Sequence, residues 1–532
     1  MTTALQQLLP RLRRWRRTLA ENVLLVSAAG AIEYSFDEDD VARFHDSTAG
    51  DCPAAVDRQT WHDLLASHYL ARLSGGVSIF GRQVLYRRLR AGVDDAACRQ
   101  HADRITALLG APDLLQGLGD ACAPLRHART EVAGMLFAPA AAAPEPWWTR
   151  CLGLVGPAFL LSMALTFAWP AAWAPAGILF AMLLAARLRY NTALRSWEAA
   201  AEAMQLMLVA CMALGARGEP MLADFRHGRE SARRLHRSLS RSTVVMNVPY
   251  LKDYVDWFLL GDVRHCLQGR RRVRAHLPAL RECFLAVANL EADIALARHL
   301  QAVPRSCRAV RHAGKGIAFD SVVNPLLDEA LPLSLELDGK GAFISGRNGV
   351  GKSTLLRTIG LNLLAARAFG FCYADSAVVS TRVVHASMQN EDSLLGGESL
   401  YIAELRRSRE LLASAQGAHA GIYLIDEVFR GTNHLESISA AAAVLDEIAR
   451  HGLVIVSSHN LVLASILDHC LAPLQVDATP AGMTLRPGVL VETNGIALLA
   501  ERGFDRHVQE RANKVFNWLN RYLAHPSGAV EL

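Results

Sequence analysis

The chain has 532 residues, 51% hydrophobic and 20% charged, with a mean hydropathy of +0.16. That excludes a disordered or low-complexity polymer, which is poor in apolar residues. Lys+Arg number 56 against 51 Asp+Glu, a formal +5, too weak a balance to argue for nucleic acid by itself. At about 150 residues per domain, the length suggests three or four domains.

Five arginines, Arg11, Arg13, Arg14, Arg16 and Arg17, open the chain ahead of a short apolar stretch, Val23 to Ile32. Glu21 interrupts the join, and the pattern reads as a solvated basic helix face rather than a signal peptide. Asp57 to Leu118 and Tyr190 to Leu300 are rich in Ala, Leu and Arg with helical periodicity. Between them, after the linker-like Ala138 to Pro146, lies an uncharged run of 36 residues, Cys151 to Ala186. It is too long for one membrane span and about right for two short ones.

Trp169-Pro170-Ala171-Ala172-Trp173 breaks the run in the middle. Proline stops a helix, and tryptophan suits a membrane interface. Leu152 to Trp169 would be about 27 Å long and Trp173 to Ala186 about 21 Å. The second arm would then need Arg187 to snorkel or the bilayer to thin. Arg150 on one side and Arg187, Arg189 and Arg195 on the other place both ends in the cytoplasm. A soluble hairpin would normally keep one polar face. His227 to Ser242 and Gly269 to His276 are basic clusters that could touch phosphates or simply be solvated faces.

After about Val310, short β-branched runs alternate with helical patterns, an α/β texture. The clear strands are Ala342–Ile344, Ile422–Ile425 and Leu453–Val456. The ten cysteines are scattered with no CxxC spacing, so neither a zinc site nor a disulfide framework is indicated. Reduced thiols in the cytosol are the simplest expectation.

Gly346-Arg347-Asn348-Gly349-Val350-Gly351-Lys352-Ser353, followed by Thr354, fits GxxxxGK[ST] between a strand and a helix. That context makes the pattern a phosphate cradle for ATP. Lys352, one of only five lysines in the chain, can reach the β- and γ-phosphates, and Ser353 can place its hydroxyl on Mg²⁺. Ile422 to Glu427 is an apolar strand ending in two carboxylates. Asp426 suits Mg²⁺ and Glu427 the attacking water. Leu453 to His459 is a third strand ending in a polar turn, and His459 is placed to sense the γ-phosphate.

Around these motifs the chain resembles the MutS family of DNA mismatch-repair ATPases. Asp426 to Asn433 (DEVFRGTN) resembles its DE-[IV]-x-RGT stretch, and Gly346 to Thr354 its GPNMGGKST. Gly397 to Glu404 (GESLYIAE) is similar to its G-x-S-T-F-x-x-E segment. Leu485 to Gly488, Asn494 to Ala497 and Val508 to Ala512 resemble its LxPG, YGIxxA and VxxRA. Asn324 to Leu327 sits where the family has HPLL, and Gly81 to Leu89 looks like the start of its lever domain.

The resemblance implies a homodimer with two composite sites, in which Ser399 of one protomer faces the γ-phosphate held by the other. The segment around Thr432 and Asn433 would lie at that interface, and helices from Asp505 to Leu523 would help dimerise. Arg347, Gly349 and Val350 replace the family's Pro, Met and Gly, and Ser457-Ser458-His459 its ATH. About 80 residues precede the lever-like segment, few for both a mismatch-reading and a connector domain. Phe36-Asp37-Glu38 spells the family's Phe-x-Glu wedge but reads as ordinary packing. No clamp domain is recognisable, and the apolar hairpin lies where the family inserts one.

The expected fold is therefore a MutS-type α/β P-loop NTPase domain behind an all-α lever region interrupted by a transmembrane hairpin. Its parts are a basic segment (1–50), lever (51–145 and 191–309), hairpin (146–190), ATPase domain (310–503) and dimerisation helices (504–532). The expected function is a membrane-anchored dimeric ATPase that binds mismatched or branched DNA. It would sit at a bacterial inner membrane with its ATPase domain in the cytoplasm. A membrane clamp acting on a protein partner is the alternative. A half-transporter fits less well, because one short hairpin cannot line a transport path and no LSGGQ-type signature is present; Ser399 in GGESLY is the nearest match.

Overall fold

The computed structural model describes residues 35–48, 50, 55–138, 152–241, 251–388, 400–417, 420–429, 433–479, 482–490 and 503–523. The chain folds into two compact units. One comprises Met1–Gly50, Ser74–Tyr86 and Leu108–Ala297; the other comprises Asp51–Leu73, Arg87–Ala107 and Arg298–Leu532.

The first unit is helical throughout its described residues. The uncharged run forms a helix Leu152–Leu165, a turn, a short 3₁₀ segment Pro170–Ala172 and a second helix from Trp173. The break falls at Pro170, as the sequence leads one to expect. The second arm, however, does not stop at Ala186. It continues as a single 42-residue helix, Trp173–Leu214. Past Arg187 the sequence holds no Gly or Pro until Gly215 and is dominated by Ala, Leu, Met and Glu, all strong helix formers.

The two ends of this helix have different surfaces. Leu194, Trp197, Met204, Met207 and Leu208 are buried, whereas Ile178, Met182, Leu184 and Leu188 are exposed. The buried end packs on the helices Ala223–Leu239 and Gly261–Ala275. Gly269 is required there, since a Cβ at that position would lie 2.1 Å from the Trp197 ring. The Arg187 guanidinium lies 4.9 Å over the Trp257 ring, donates to the Asp256 carbonyl at 2.8 Å and pairs with Asp262 at 3.6 Å.

The same unit holds a buried carboxylate, Glu291, which accepts from the N–H and hydroxyl of Ser78. Burial pushes its pKa up to about 7, although these hydrogen bonds act in the opposite direction.

The second unit is built on a six-stranded sheet. Its strands are β5 (Gly341–Ser345), β8 (Val384–Ser387), β9 (Ile422–Asp426), β10 (Leu453–Ser457), β11 (Leu471–Thr479) and β12 (Gly482–Pro487), in the order β12-β11-β5-β10-β9-β8. All neighbours are parallel except β11 and β12. β5, β9 and β10 are buried at every residue, which is why they read as unbroken apolar runs instead of alternating ones. A smaller sheet of β2 (Val310–His312), β7 (Ser376–Ser380), β3 (Ile317–Val322) and β4 (Leu333–Leu337) lies in the same unit, as does an antiparallel pair of β1 (Cys307–Arg308) and β6 (Phe371–Cys372).

The exposed edge of β8 is closed by side chains. Ala386 N–H donates to the Thr60 hydroxyl and Met388 N–H to the Asp63 carboxylate, both at 2.8 Å. Two alternate donors of an edge strand are thus satisfied by one short helix, Arg58–Asp63, which blocks further strand pairing.

Parallel register brings the carboxyl ends of β5, β9 and β10 level. Ser457 pairs with Asp426 on one side and with Ile344 on the other. Open α/β sheets place ligands at that end.

Candidate nucleotide site

The loop from Gly346 to Gly351 leaves β5 and enters the helix Lys352–Phe369. Gly349 and Gly351 adopt φ of +79° and +98°, conformations that L side chains rarely reach. Gly346 has a second reason to be glycine, since a Cβ would lie 2.5 Å from Val476. The helix behind the loop has 18 residues and is buried along nearly its whole length. Its N-terminus therefore presents a fixed, positively polarised end to an anion.

Lys352 lies over this loop and is buried. Its Nζ donates to the Gly346 carbonyl at 3.0 Å and the Arg347 carbonyl at 3.5 Å. Burial lowers its pKa, while Glu427 and Asp426 raise it. A phosphate group could take over these ammonium donors and supply the charge that two carbonyls do not.

Asp426 ends β9 and touches two hydroxyls. Ser353 Oγ donates to its Oδ2 and Ser457 Oγ to its Oδ1. One carboxylate thus ties the first turn of the P-loop helix to the end of β10. A hydroxyl and a carboxylate, both hard oxygen donors beside a phosphate-seeking lysine, fit Mg²⁺. That ion usually takes one or two protein oxygens and keeps water and phosphate for the rest.

Glu427 follows with φ of +55° and Phe429 with +57°. Each such non-glycine residue costs on the order of 1–2 kcal/mol. The turn is pinned by the Glu427 N–H on the Ser457 carbonyl at 2.9 Å and by the fully buried Phe429 ring. The result aims Glu427 at His459, whose Nε2 lies 2.8 Å from Glu427 Oε1. A cavity of about 290 Å³ opens beside this pair, lined by Glu427, Phe429, His434, Ser437, Ser458, His459 and others.

Lys352, Ser353, Asp426, Glu427 and His459 are therefore gathered at one end of the sheet, with Arg347, Asn348, Val350 and Thr354 in or next to the loop. Ser399, Arg430, Gly431 and Thr432 lie outside the described residues, as do Asn494 to Ala497. Ser457, His434, Ser437 and Asn460 were not anticipated as site residues. Of these, Ser457 stood in the sequence as the first residue of the Ser-Ser-His that replaces the family's ATH. Away from this end, Asp446, His469 and Cys470 bring three donor atoms within 4.8 Å. Arg450 already holds Asp446 at 2.6 Å, so the group reads as an ion-pair network.

Residues 342–519, which span this whole constellation, match the family model for MutS domain V. Over this segment, about a third of its length, the chain is similar to the MutS family. It is 27% identical over 278 residues to the DNA mismatch repair protein MutS of Thermus thermophilus, covering 49% of this chain and 33% of that protein. It is 26% identical over 266 residues to MutS 1 of Halobacterium salinarum, covering 47% and 30%. With MutS of Chloroflexus aurantiacus the figures are 28% over 306 residues, covering 51% and 31%. The chain thus spans about a third of the length of the curated MutS proteins it matches.

Proposed function

We propose that this MutS-like chain is a Mg²⁺-dependent ATPase that works as a homodimer, is anchored to a membrane by its apolar hairpin, and engages DNA through arginine-rich helices. The observation that carries the ATPase reading is the single cluster of Lys352, Ser353, Asp426, Glu427 and His459 at the carboxyl end of the sheet. Loop and helix N-terminus hold the phosphates, Lys352 neutralises the β- and γ-oxygens, and Ser353 with Asp426 holds Mg²⁺. The ion supplies charge stabilisation at the phosphoryl oxygens. Glu427 accepts a proton from the attacking water, and His459 orients that carboxylate. Ser399 of the partner protomer completes the site from the other side, as the family resemblance implies.

The membrane reading is supported by exposure. Among the described residues one helix, Pro170–Leu214, is long and apolar enough to cross a membrane, and 17% of its most apolar window is buried. A core helix of a soluble protein would be mostly covered. Leu161, Phe167, Trp169, Trp173 and Ile178 are all more than 60% exposed. The ATPase domain then lies on the arginine-rich, cytoplasmic side.

The DNA reading is supported by charge. Arg229, Arg233, Arg234 and Arg237 are exposed on the helix Ala223–Leu239, and Arg271, Arg272 and Arg274 on Gly261–Ala275. Arg272 donates to the Ser238 carbonyl, so the two clusters, far apart in the chain, form one surface. Three variants test these assignments. Lys352→Ala should lose ATP binding, whereas Glu427→Gln should bind ATP and hydrolyse it at least about 100-fold more slowly. Charge reversal at Arg271, Arg272 and Arg274 should weaken DNA binding and flatten its salt dependence. If no nucleotide state of the wild-type chain binds duplex, mismatched or branched DNA, the surface serves a protein partner instead.

A further inference from the structure

The geometry points to a re-entrant hairpin: we propose that it enters the bilayer from one face, is stopped by a collar at headgroup level, and does not reach the opposite surface. The proposal rests on the membrane reading above.

The collar is the short helix Leu251–Phe258. It docks on the first arm where Gly156 leaves room, since a Cβ there would lie 1.5 Å from the Phe258 carbonyl oxygen. The Phe258 ring stacks on Phe159 at 6.3 Å and on Tyr254 at 6.2 Å. Tyr254 and Trp257 remain exposed, with the Arg187 guanidinium over the Trp257 ring. Arg264 lies against Gly153 at the foot of the first arm, and Arg189 and Arg195 are exposed just below Arg187. Among the described acids, Asp256 is held by Arg241 at 3.0 Å and Asp262 faces Arg187. Exposed Trp and Tyr flanked by arginine is the composition of a phospholipid headgroup interface.

With the collar at that level, the reach of the hairpin follows. The arm Trp173 to Ala186 rises about 21 Å, against about 30 Å of hydrocarbon. Above the Phe258 contact the first arm is shorter still, since its helix ends at Leu165. The turn between the arms is suited to stay in hydrocarbon. It contains no charged residue. The N–H groups of Thr166, Phe167, Ala168, Trp169, Ala172 and Trp173 all bond to nearby carbonyls. Ser162 Oγ donates to the Ala172 carbonyl at 3.0 Å, and Thr166 Oγ1 to that of Met163 at 2.6 Å. This internal pairing lets the turn lie in lipid, where the exposed indoles of Trp169 and Trp173 are the groups that would draw it towards a headgroup layer instead.

The test uses the full-length chain inserted into preformed vesicles, with Cys52, Cys151, Cys307 and Cys470 changed to serine and the buried cysteines kept. An NBD fluorophore is attached at Ala171→Cys in the turn or at Tyr254→Cys on the collar. A re-entrant hairpin predicts that the Ala171→Cys label is quenched most by lipids carrying a deep nitroxide and is untouched by dithionite trapped in the lumen. The Tyr254→Cys label should be quenched most by headgroup nitroxides. Bleaching of the Ala171→Cys label from the lumen would mean a spanning hairpin and overturn the proposal, leaving the membrane anchor intact. An aqueous Tyr254→Cys label beside a lipid-quenched Ala171→Cys label would remove the collar, and the proposal with it. Two aqueous labels, on a chain that does not float with the vesicles, would overturn the membrane reading itself.

Discussion

Ser457→Ala isolates the contribution of a hydroxyl outside the phosphate loop. Ser457 is fully buried at the end of β10 and donates to Asp426 Oδ1, while Ser353 donates to Oδ2. Replacing it with alanine leaves one buried carboxylate oxygen without its donor. A hydrogen bond to a charged group contributes about 1.5–3 kcal/mol, and about 1.4 kcal/mol is tenfold in affinity. If Asp426 holds Mg²⁺, the loss should appear as a metal effect, with Mg²⁺ affinity falling roughly 10–100-fold, the usual range for partners of a metal-binding group.

The assay is ATP hydrolysis titrated with Mg²⁺ at fixed ATP, with thermal melting as the control for folding. The half-saturating Mg²⁺ should rise by that factor, while the rate at saturating Mg²⁺ stays within a few-fold of wild type. An unchanged Mg²⁺ dependence, or a rate lost equally at every Mg²⁺ concentration in a folded protein, would refute the assignment of Asp426.

Glu291 makes stability depend on pH. Its folded pKa of about 7 lies above the ordinary 4.5, so the folded state holds the proton more tightly. The stability it contributes is fully present below about pH 4.5 and lost as pH rises through 7, on the order of 3 kcal/mol in all. Glu291→Gln should remove most of that slope, read as melting temperatures at pH 5 and pH 8. Gly269→Ala should destabilise the helical unit by about 1–3 kcal/mol, because the new methyl meets the buried Trp197 ring; an unchanged melting temperature would count against that packing. His459→Ala should slow hydrolysis with ATP affinity largely kept, since its contact in the structure is with Glu427 rather than with the phosphate loop. A large loss of ATP binding instead would place His459 on the phosphates.

Much of the unit around the P-loop was legible because its signals are local. A GxxxxGK[ST] run must bend where glycines allow φ of +79° and +98°. Strands buried on both faces must be apolar up to the polar residue that ends them, as AFI, IYLI and LVIV are. The break between the two apolar helices was legible for the same reason, since Pro170 interrupts a run of 36 residues without charge. The end of the second helix was not. Arg187 reads along the chain as the end of the second arm, yet the helix runs through it to Leu214. What receives its charge, the Asp256 carbonyl, Asp262 and the Trp257 ring, comes from about 70 residues away.

Ser457 shows the same limit inside the active end of the sheet. In sequence it is one serine of a polar turn, standing where the family carries the start of ATH. Its function is decided by register: β10 pairs with β9 so that Ser457 falls opposite Asp426, and with β5 so that it falls opposite Ile344. A slip of one residue in a parallel pair would point this side chain to the other face. Asp426 would then lose the donor to Oδ1. The carboxylate's acid–hydroxyl geometry is thus a property of three strands together, which is why it cannot be read from any one of them and why Ser457, rather than the P-loop, gives the sharper test of the site.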